Sequence, residues 1–349
     1  MLKNLDKHTI SINTSLLDAL KQLNNLPDLL TLFVLDNKKK LIGTLTDGDV
    51  RRGLIAGKSI KQPLSEFMYC DFKFLKEGED NFKKLKLFRE RRLRAVPLLN
   101  KKGQIIKIYD FTKIKSILPL DAVIMAGGEG IRLRPLTNDT PKPLLKIGQK
   151  EIISYNFDRL YQFGILNQHI TLNYLSEKIV DFCNAYPKDI HFNFIHEHKL
   201  LGTAGALSLI QDFKNDTILL MNSDLLTNID YEDFYKTFIE RGADMLVASI
   251  PYDITLPYAV FETENRTVNS LKEKPTYTHY ANAGIYIFKK KLLKLIPQNK
   301  PYNATEFMED ILKNGYSLMH YPIRSYWLDI GKHNDFEKAQ KDIAHINWD

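Results

Sequence analysis

Residues suited to binding phosphate are concentrated just after an apolar run at positions 122–124. A glycine-rich segment follows that run and comprises Ala126, Gly127, Gly128, Glu129 and Gly130. Glycine allows a backbone to approach a phosphate closely and to adopt positive φ without a steric penalty. Arg132 follows this segment, and Lys142 stands between two prolines shortly afterwards. Backbone amides and two cationic side chains around one loop predict a polyphosphate site, although the spacing matches neither the dinucleotide fingerprint nor a P-loop.

Two acidic residues farther along the chain could hold a metal ion. Asp224 comes soon after an apolar run at 217–221, and Asp329 lies in a late Trp-Leu-Asp-Ile-Gly segment. A carboxylate at the end of a buried strand is well placed for Mg²⁺, which prefers one or two protein carboxylates together with phosphate oxygens and water. Judged alone, Asp224 fits the N-cap of a helix equally well. The glycine-rich segment upstream favours the metal ligand.

Alternating strands and helices follow residue 122 and would position these groups. The apolar runs predict strands at 122–125, 169–173, 192–196, 217–221, 244–249 and 283–288. Helical periodicity predicts helices between them, for example at 152–163, 203–210, 231–241 and 290–296. This alternation is typical of an α/β fold with a mostly parallel sheet and helices on both faces. Ligands of such sheets bind beyond the carboxyl ends of the strands, where the phosphate-binding residues are expected.

The glycine-rich segment and its surroundings resemble the signature of the sugar-1-phosphate nucleotidyltransferases. The family elements G-G-x-G-x-R-L-x-P-L-T and P-K-P-L read here as Gly-Gly-Glu-Gly-Ile-Arg-Leu-Arg-Pro-Leu-Thr and Pro-Lys-Pro-Leu. Ile131 replaces the threonine that often precedes the arginine, so one hydroxyl that could contact phosphate is missing. The resemblance implies a Rossmann-like (GT-A-like) catalytic domain over residues 119–349 that uses Mg²⁺.

The resemblance also implies roles for individual residues. Catalysis would depend on Arg132, Lys142, Asp224, Lys274 and Asp329, of which Asp224 and Asp329 would hold the Mg²⁺ ion. Nucleotide binding would involve the glycine-rich segment (Ala126, Gly127, Gly128, Glu129 and Gly130) together with Glu197, Gly202, Thr203 and Ala204. Sugar binding would involve Glu273, Asn282 and Gly284. Close packing of a helix on the sheet is the lesser alternative role for the glycine at 202.

An internal repeat with an offset of 64 residues occupies residues 1–118. Each copy predicts a helix (15–24 and 81–91), two strands joined by a turn, and a second helix (50–54 and 114–118). The pair is similar to tandem CBS domains, the first over about residues 1–65 and the second over about 66–118. In that family a hydroxyl and an aspartate spaced like Thr46 and Asp49 hold a nucleotide. The second copy lacks this pair, so a structural module without a regulatory nucleotide is equally compatible.

Length and composition predict an ordinary globular protein of two domains. The chain has 349 residues, no apolar run near the ~20 residues that span a bilayer, and no apolar signal-peptide core at its start. Cys70 and Cys183 have no metal-ligand spacing, which predicts buried thiols in a reducing, cytoplasmic compartment. Residues 1–118 hold 24 Lys and Arg against 13 Asp and Glu, and the remainder holds 25 against 29. Because the catalytic-looking part is mildly acidic, we expect neither a nucleic-acid nor a membrane partner.

These observations together predict an enzyme that condenses an NTP with a hexose 1-phosphate to give an NDP-sugar and pyrophosphate. The domain order resembles the guanylyltransferases of legionaminic acid biosynthesis. This implies GTP and glucosamine 1-phosphate as substrates, a role in surface or flagellar glycan precursors, and a homo-oligomer formed through the CBS module. A mannose- or glucose-1-phosphate nucleotidyltransferase using GTP, UTP or dTTP is the nearest alternative. A catalytically silent nucleotide sensor is an alternative of another class.

Overall fold

The computed structural model describes residues 5–27, 29–79 and 81–348, with the side chains of Phe82 and Lys83 excepted. It divides into two compact units. One comprises the described residues up to Ile117 together with Gln162–Gly164, and the other comprises Leu118–Tyr161 and the described residues from Ile165 onward. None of the described helices is long and apolar enough to cross a membrane.

The N-terminal unit repeats one arrangement of three strands. Its helices are α1 (Leu5–His8), α2 (Leu16–Asn24), α3 (Asp47–Ile55) and α4 (Phe82–Glu90), and its strands are β1 (Thr9–Ser11), β2 (Thr31–Leu35), β3 (Leu41–Thr46), β4 (Leu75–Lys76), β5 (Ala95–Leu99) and β6 (Ile105–Asp110). In each copy the first strand runs parallel to the second, and the second pairs with the third in an antiparallel hairpin. Buried side chains from both copies, among them Phe33, Leu41, Leu99 and Ile108, share one cluster. The repeat in sequence is therefore a repeat in structure.

The second copy departs from the first after its last strand, where the predicted helix at 114–118 is wrong. The amides of Lys113 and Ile114 bond to the Asp110 carbonyl, and the Asp110 carboxylate accepts from the Thr112 amide. This single turn does not continue, and residues 114–118 form no regular helix. Pro119 disfavours helical backbone at the residue before it, which explains why the chain stays irregular here.

The C-terminal unit contains the remaining strands and helices. Its strands are β7 (Asp121–Met125), β8 (Lys146–Ile147), β9 (Lys150–Glu151), β10 (Asn167–Leu172), β11 (His191–His196), β12 (Thr217–Asn222), β13 (Leu225–Thr227), β14 (Met245–Thr255), β15 (Val260–Glu264), β16 (Thr267–Lys272), β17 (Thr276–Lys289), β18 (Leu318–Pro322) and β19 (Trp327–Asp329). Its helices are α5 (Ile152–Gln162), α6 (Ser176–Asn184), α7 (Gly202–Gly205), α8 (Tyr231–Glu240), α9 (Ala304–Lys313) and α10 (His333–Asp342).

A seven-stranded sheet in the order β11-β10-β7-β12-β17-β14-β18 forms the centre of this unit. All neighbouring pairs are parallel except those that β17 makes with β12 and β14, so the expected α/β fold with a mostly parallel sheet is confirmed. Strand β7 lies between two parallel neighbours, which is why its sequence is almost wholly apolar. The carboxyl ends of β7 and β12 meet at one edge, where Met125 pairs with Asn222.

Two predicted helices and one predicted thiol environment differ in the structure. The helix expected at 203–210 is the four-residue α7 followed by a 3₁₀ turn at Ala206–Leu209, and the helix expected at 290–296 is a 3₁₀ segment at Lys290–Leu295. Both follow tight connections and lie against α9 or its preceding loop, so packing outweighs helical periodicity. Cys183 is buried as expected, but Cys70 is exposed, which corrects the prediction of two buried thiols.

A long β-ribbon, which the apolar runs did not predict, extends from the sheet. Strands β14 and β17 continue past their sheet neighbours and pair with each other as far as Thr255 and Thr276, and the hairpin β15–β16 lies between them in the chain. We call residues 250–282 the ribbon. Most of its side chains are exposed, which explains why the sequence shows no uninterrupted apolar run there.

Candidate active site

The glycine-rich segment forms a loop at the carboxyl end of β7. Gly130 has φ of +63°, and a Cβ at this position would lie 3.0 Å from Thr137 Cγ2 and 3.1 Å from Lys142 Cβ. Glycine is therefore required there for both backbone conformation and space. At Gly128 an added Cβ would meet open space, so this part of the loop faces away from the protein interior.

A cavity of about 580 Å³ opens against this loop. Its lining includes Gly128, Glu129, Gly130, Arg132, Lys142 and Asp224. The glycine-rich loop and the two cationic side chains expected from sequence therefore meet in one space, together with one of the two expected carboxylates. Glu129 directs its carboxylate to Arg134, at 3.3 Å, rather than standing alone in the cavity.

The register of a short antiparallel pair brings the second carboxylate to the same place. Strands β13 and β19 pair with Leu225 opposite Asp329, so Asp329 lies beside Asp224. The amide of Ile330 also donates to the Asp224 carbonyl at 3.1 Å. Burial is the largest cause of a raised pKa at Asp329, and the nearby Asp224 carboxylate raises this pKa further. Lys142 and Arg132 lower it in part. The two acids thus share one partly buried electrostatic environment.

One oxygen of each carboxylate lacks a protein partner. Asp224 pairs through Oδ2 with Lys142 Nζ, but Asp224 Oδ1 and Asp329 Oδ1 are buried, and neither forms a hydrogen bond with any described residue. A buried, unpartnered carboxylate oxygen costs free energy unless a cation or donor meets it. Among the described residues no cluster of three or more His, Cys, Asp or Glu side chains could hold a metal. Two carboxylates suffice for Mg²⁺, so this pair fits that ion.

The segment expected to bind the nucleoside is largely occupied by structural contacts. The buried Glu197 accepts from the Leu201 amide at 2.9 Å through Oε2, and burial raises the pKa of its carboxyl. Thr203 Oγ1 accepts from the Ala304 amide, and the Ala204 amide donates to the Tyr302 carbonyl. Gly202, Thr203 and Ala204 do not line the cavity, whereas Leu200 does.

The residues expected to bind the sugar fall into two groups. Asn282 donates to the Tyr286 hydroxyl at 2.8 Å and accepts from the Gly284 amide at 2.9 Å. Gly284 has φ of +71°, and a Cβ there would lie 2.7 Å from Asn222 Nδ2 at the end of β12. Glu273 and Lys274 instead lie in the exposed turn between β16 and β17 and do not line the cavity.

Three lining residues, Leu200, Ser223 and Gly331, were not singled out from the sequence. Ser223 directly precedes Asp224, and its amide donates to the Met125 carbonyl at 3.2 Å, which ties the end of β12 to the end of β7. Gly331 closes the Trp-Leu-Asp-Ile-Gly segment, and a Cβ there would lie 3.6 Å from Arg132 Nη2. Ser223 is adjacent to Asp224 in the sequence and Gly331 lies two residues after Asp329, so proximity to the two expected metal ligands was the available signal.

A second cavity, of about 600 Å³, lies in the N-terminal unit. Thr46, Asp47 and Gly48 line it from the start of α3, and Arg91, Arg92 and Arg94 line it from the second copy. Asp49, expected to bind ligand, does not line the cavity in this structure. Its carboxylate accepts from the Thr46 amide and hydroxyl in a capping box and pairs with Arg52. Asp47, rather than Asp49, therefore lines the cavity from the start of α3.

Comparison with known families gives a match in each part of the chain. The profile of the nucleotidyl transferase family matches residues 121–346, and the CBS domain profile matches residues 2–56. The Bifunctional protein GlmU of Methanocaldococcus jannaschii is 29% identical over 66% of this chain and 56% of its own length. The mannose-1-phosphate guanylyltransferase catalytic subunit beta of Dictyostelium discoideum is 30% identical, over 62% of each chain. The chain thus spans less than two thirds of the length of these relatives.

The solved structures agree with the fold. A crystal structure from Bacillus anthracis, assigned as a glucose-1-phosphate thymidylyltransferase in complex with sucrose, is 26% identical with a TM-score of 0.54. The match covers 66% of this chain and 97% of that one. The similarity therefore extends across nearly the whole of a related fold.

Proposed function

Because this chain belongs to the nucleotidyl transferase family, with a CBS domain at its N-terminus, we propose that it is a Mg²⁺-dependent sugar-1-phosphate nucleotidyltransferase. The observation that carries the proposal is the cavity in which the glycine-rich loop, Arg132, Lys142 and Asp224 meet. Asp329 lies beside Asp224, and each of the two presents an unpartnered buried oxygen. A triphosphate needs cations and amide donors, and the accompanying divalent ion needs carboxylates, so this cavity matches the chemistry of both.

The residues would act mainly by binding and by neutralising charge. The loop amides at Gly128 and Gly130, with Arg132 and Lys142, would hold the triphosphate so that its α-phosphorus faces the incoming sugar 1-phosphate. A phosphate oxygen of the sugar phosphate attacks that phosphorus, the bond to the β-phosphate oxygen breaks, and pyrophosphate leaves. The attacking oxygen is already anionic, so no general base is needed. Positioning and electrostatic stabilisation then supply the rate enhancement.

Asp224 and Asp329 would hold the Mg²⁺ ion, which supplies charge neutralisation at the phosphates. Lys142 is the present counter-ion of Asp224, and its side chain is only 11% exposed. When the cation and the triphosphate bind, the Lys142 ammonium is free to exchange the carboxylate for a phosphate oxygen. Lys274, Glu273, Asn282 and Gly284 are proposed for the sugar phosphate. For Lys274 and Glu273 this requires the exposed turn to approach the cavity.

Within this class we propose GTP and glucosamine 1-phosphate as the substrates. The guanylyl donor is supported by the name of the Dictyostelium relative, and the sugar by the combination of domains that resembles the legionaminic acid enzymes. A role in glycan precursor synthesis follows from the same resemblance. Mannose 1-phosphate or glucose 1-phosphate with GTP, UTP or dTTP are the rival pairs, because base and sugar choice depend on a few hydrogen bonds.

A pyrophosphate-exchange screen across four NTPs and several hexose 1-phosphates tests the proposal. We expect Mg²⁺-dependent turnover that is highest with GTP, and a fall of ~10³-fold or more in the Asp224→Asn variant. Asp230→Asn is the matched control. Asp230 caps α8 by accepting from two amides, outside the cavity, and asparagine caps equally well. Nucleotide binding without turnover in any combination would favour the silent sensor instead.

We also propose that the N-terminal unit binds a regulatory nucleotide. The cavity of about 600 Å³ combines three arginines with the hydroxyl of Thr46 and the carboxylate of Asp47. Guanidinium groups suit phosphate, and a carboxylate suits ribose hydroxyls. Calorimetric titration with adenine and guanine nucleotides should show binding that Arg91→Gln weakens, whereas Arg89→Gln, outside the cavity lining, should not. Unchanged affinity in Arg91→Gln would place any bound nucleotide elsewhere.

A further inference from the structure

Helix α5 buries two polar side chains in the C-terminal unit. Asn156 and Arg159 are 1% and 5% exposed, although the buried face of this helix is otherwise mostly apolar. Residues three apart on a helix are neighbours, so the two side chains share one face. A buried amide or guanidinium group lowers stability unless it is hydrogen-bonded. The partners of these two groups therefore show what the helix gains from them.

Asn156 holds the peptide group that joins Ser223 to Asp224. Its Nδ2 donates to the Ser223 carbonyl at 3.2 Å, and both residues are buried. The Ser223 amide in turn donates to the Met125 carbonyl at the end of β7. Since a peptide group is planar, fixing the Ser223 carbonyl also fixes the direction of the Asp224 amide. The backbone that leads into Asp224 is therefore held by α5 and by β7.

Arg159 holds the other end of the same segment. Its Nε donates to the Ile229 carbonyl at 3.1 Å, and its Nη2 donates to the carbonyls of Asn228 at 2.7 Å and Ile229 at 2.9 Å. Its Nη1 donates to the Trp348 carbonyl at 3.0 Å. The planar guanidinium presents several donors in a fixed arrangement, which suits adjacent carbonyl groups. Residues 223–229 are thus bonded to α5 at both ends.

The segment between these two contacts carries the geometry of the cation site. It contains Asp224 and β13, and β13 sets Leu225 opposite Asp329. Mg²⁺ demands near-ideal octahedral geometry with ligands at about 2.0–2.1 Å, so a small shift of one carboxylate relative to the other removes a ligand. Residues 223–229 must therefore stay in place for the two carboxylates to meet one ion.

We propose that Asn156 is a positioning residue of the cation site, and that Arg159 anchors the far end of the segment that Asn156 positions. Asn156 does not line the cavity and acts through the Ser223 carbonyl. Loss of a group that supports a metal ligand in this way lowers metal affinity by about 10–100-fold. The inference rests on the proposed function for the identity of the ion.

Mn²⁺ binding to the full chain tests the inference. Mn²⁺ replaces Mg²⁺, and its dissociation constant is measured by electron paramagnetic resonance without substrates. Asn156→Leu removes the amide donor at similar volume and should raise this constant by about 10–100-fold. Asn156→Ala removes the same donor with less bulk and carries the test if circular dichroism shows that Asn156→Leu does not fold.

Ser154→Ala is the matched control on the same helix. Ser154 is also buried, at 3% exposure, but its hydroxyl donates to Glu151 at 3.4 Å rather than to residues 223–229. This variant loses a buried polar group of α5 without releasing the peptide before Asp224. It should therefore keep the wild-type dissociation constant for Mn²⁺.

Turnover gives a second readout that a general loss of packing would not reproduce. In Asn156→Leu the Mg²⁺ concentration for half-maximal turnover should rise by the same factor as the Mn²⁺ dissociation constant. KM for the NTP at saturating Mg²⁺ should stay near the wild-type value, because the glycine-rich loop and its cations are unaltered. A rise in KM without a change in the Mg²⁺ requirement would contradict the positioning role.

The outcomes separate this inference from the proposed function. Weaker Mn²⁺ binding in Asp224→Asn, together with an unchanged constant in Asn156→Leu, would overturn the positioning role and leave the proposed function standing. An equal loss in Asn156→Leu and Ser154→Ala would also overturn it. Mn²⁺ binding that depends on Asp224 and Asn156 without any turnover would support the positioning role and contradict the activity. A wild-type protein that binds no Mn²⁺ would overturn the cation site and this inference with it.

Discussion

The ion pair between Lys142 and Asp224 offers the sharpest test of the proposed site. Its side chains are only 11% and 19% exposed, and Asp329 stands close enough to sense both charges. Asp224→Asn leaves the Lys142 ammonium with Asp329 as its remaining counter-charge. Lys142→Met instead leaves two carboxylates facing each other without that cation. The two single variants should therefore lose unfolding free energy for different electrostatic reasons.

The magnitudes follow from this asymmetry. Removing one partner of a buried ion pair costs about 3–5 kcal/mol of unfolding free energy. Because Asp329 compensates Lys142 in part, Asp224→Asn should cost about 2 kcal/mol, and Lys142→Met, with repulsion added, about 3 kcal/mol. The double variant should cost about 3 kcal/mol rather than the sum, which gives a coupling of about 2 kcal/mol.

Urea unfolding followed by circular dichroism measures these values with and without Mg²⁺. Mg²⁺ should stabilise Lys142→Met more than the wild type, because the cation relieves the repulsion between the two carboxylates. It should stabilise Asp224→Asn little. A coupling below about 0.5 kcal/mol, or an equal effect of Mg²⁺ on all variants, would refute the idea that these groups form one cation site.

Further outcomes follow from single positions. Gly205→Ala should lower the free energy of unfolding by about 1–3 kcal/mol in urea titrations, because its Cβ would lie 2.6 Å from the Lys300 carbonyl oxygen. Gly128→Ala should leave that free energy nearly unchanged yet raise KM for the NTP several-fold in steady-state assays; an unchanged KM would show that phosphate does not approach this loop. Burial holds the pKa of His169 below its usual value, with Asp121 and Asp212 opposing and Lys214 assisting, so folding disfavours the protonated ring. The stabilisation is present above about pH 6.5 and is lost as pH falls, because the unfolded chain then takes up the proton. His169→Gln should flatten the fall in unfolding free energy between about pH 7 and pH 5, and an identical pH profile would contradict this origin.

The sequence predicted best those elements that are buried on both sides. Strands β7 and β12 are apolar because parallel neighbours and covering helices exclude water, so their limits were predicted within about a residue. The ribbon escaped prediction because its apolar residues alternate with Thr and Asp and are not buried. The helix predicted at 114–118 shows the opposite error, since Ile114 and Leu118 are buried in an irregular connection. Periodicity reports burial, and burial alone does not specify a helix.

The candidate site was predictable only as far as its motifs are local. The glycine-rich loop with Arg132 and Lys142 is nearly contiguous, so its chemistry could be inferred from spacing. The pairing of Lys142 with Asp224, and the register that sets Asp329 opposite Leu225, depend on contacts between distant segments. Asp49 shows that a residue within a motif can cap its own helix instead of facing the ligand cavity. The catalytic and ligand-binding roles of these residues remain predictions that the variants above test.

The short pairing of β13 with β19 makes cation affinity a reporter of whether β19 has docked. The first acid emerges with the central sheet, whereas the second is contributed by a three-residue strand close to the end of the described chain. An intermediate that has formed the parallel strands but has not docked β19 has only half of the coordination set. A pulse of Mn²⁺ during refolding, read by its paramagnetic signal, would therefore time the docking of β19 onto β13.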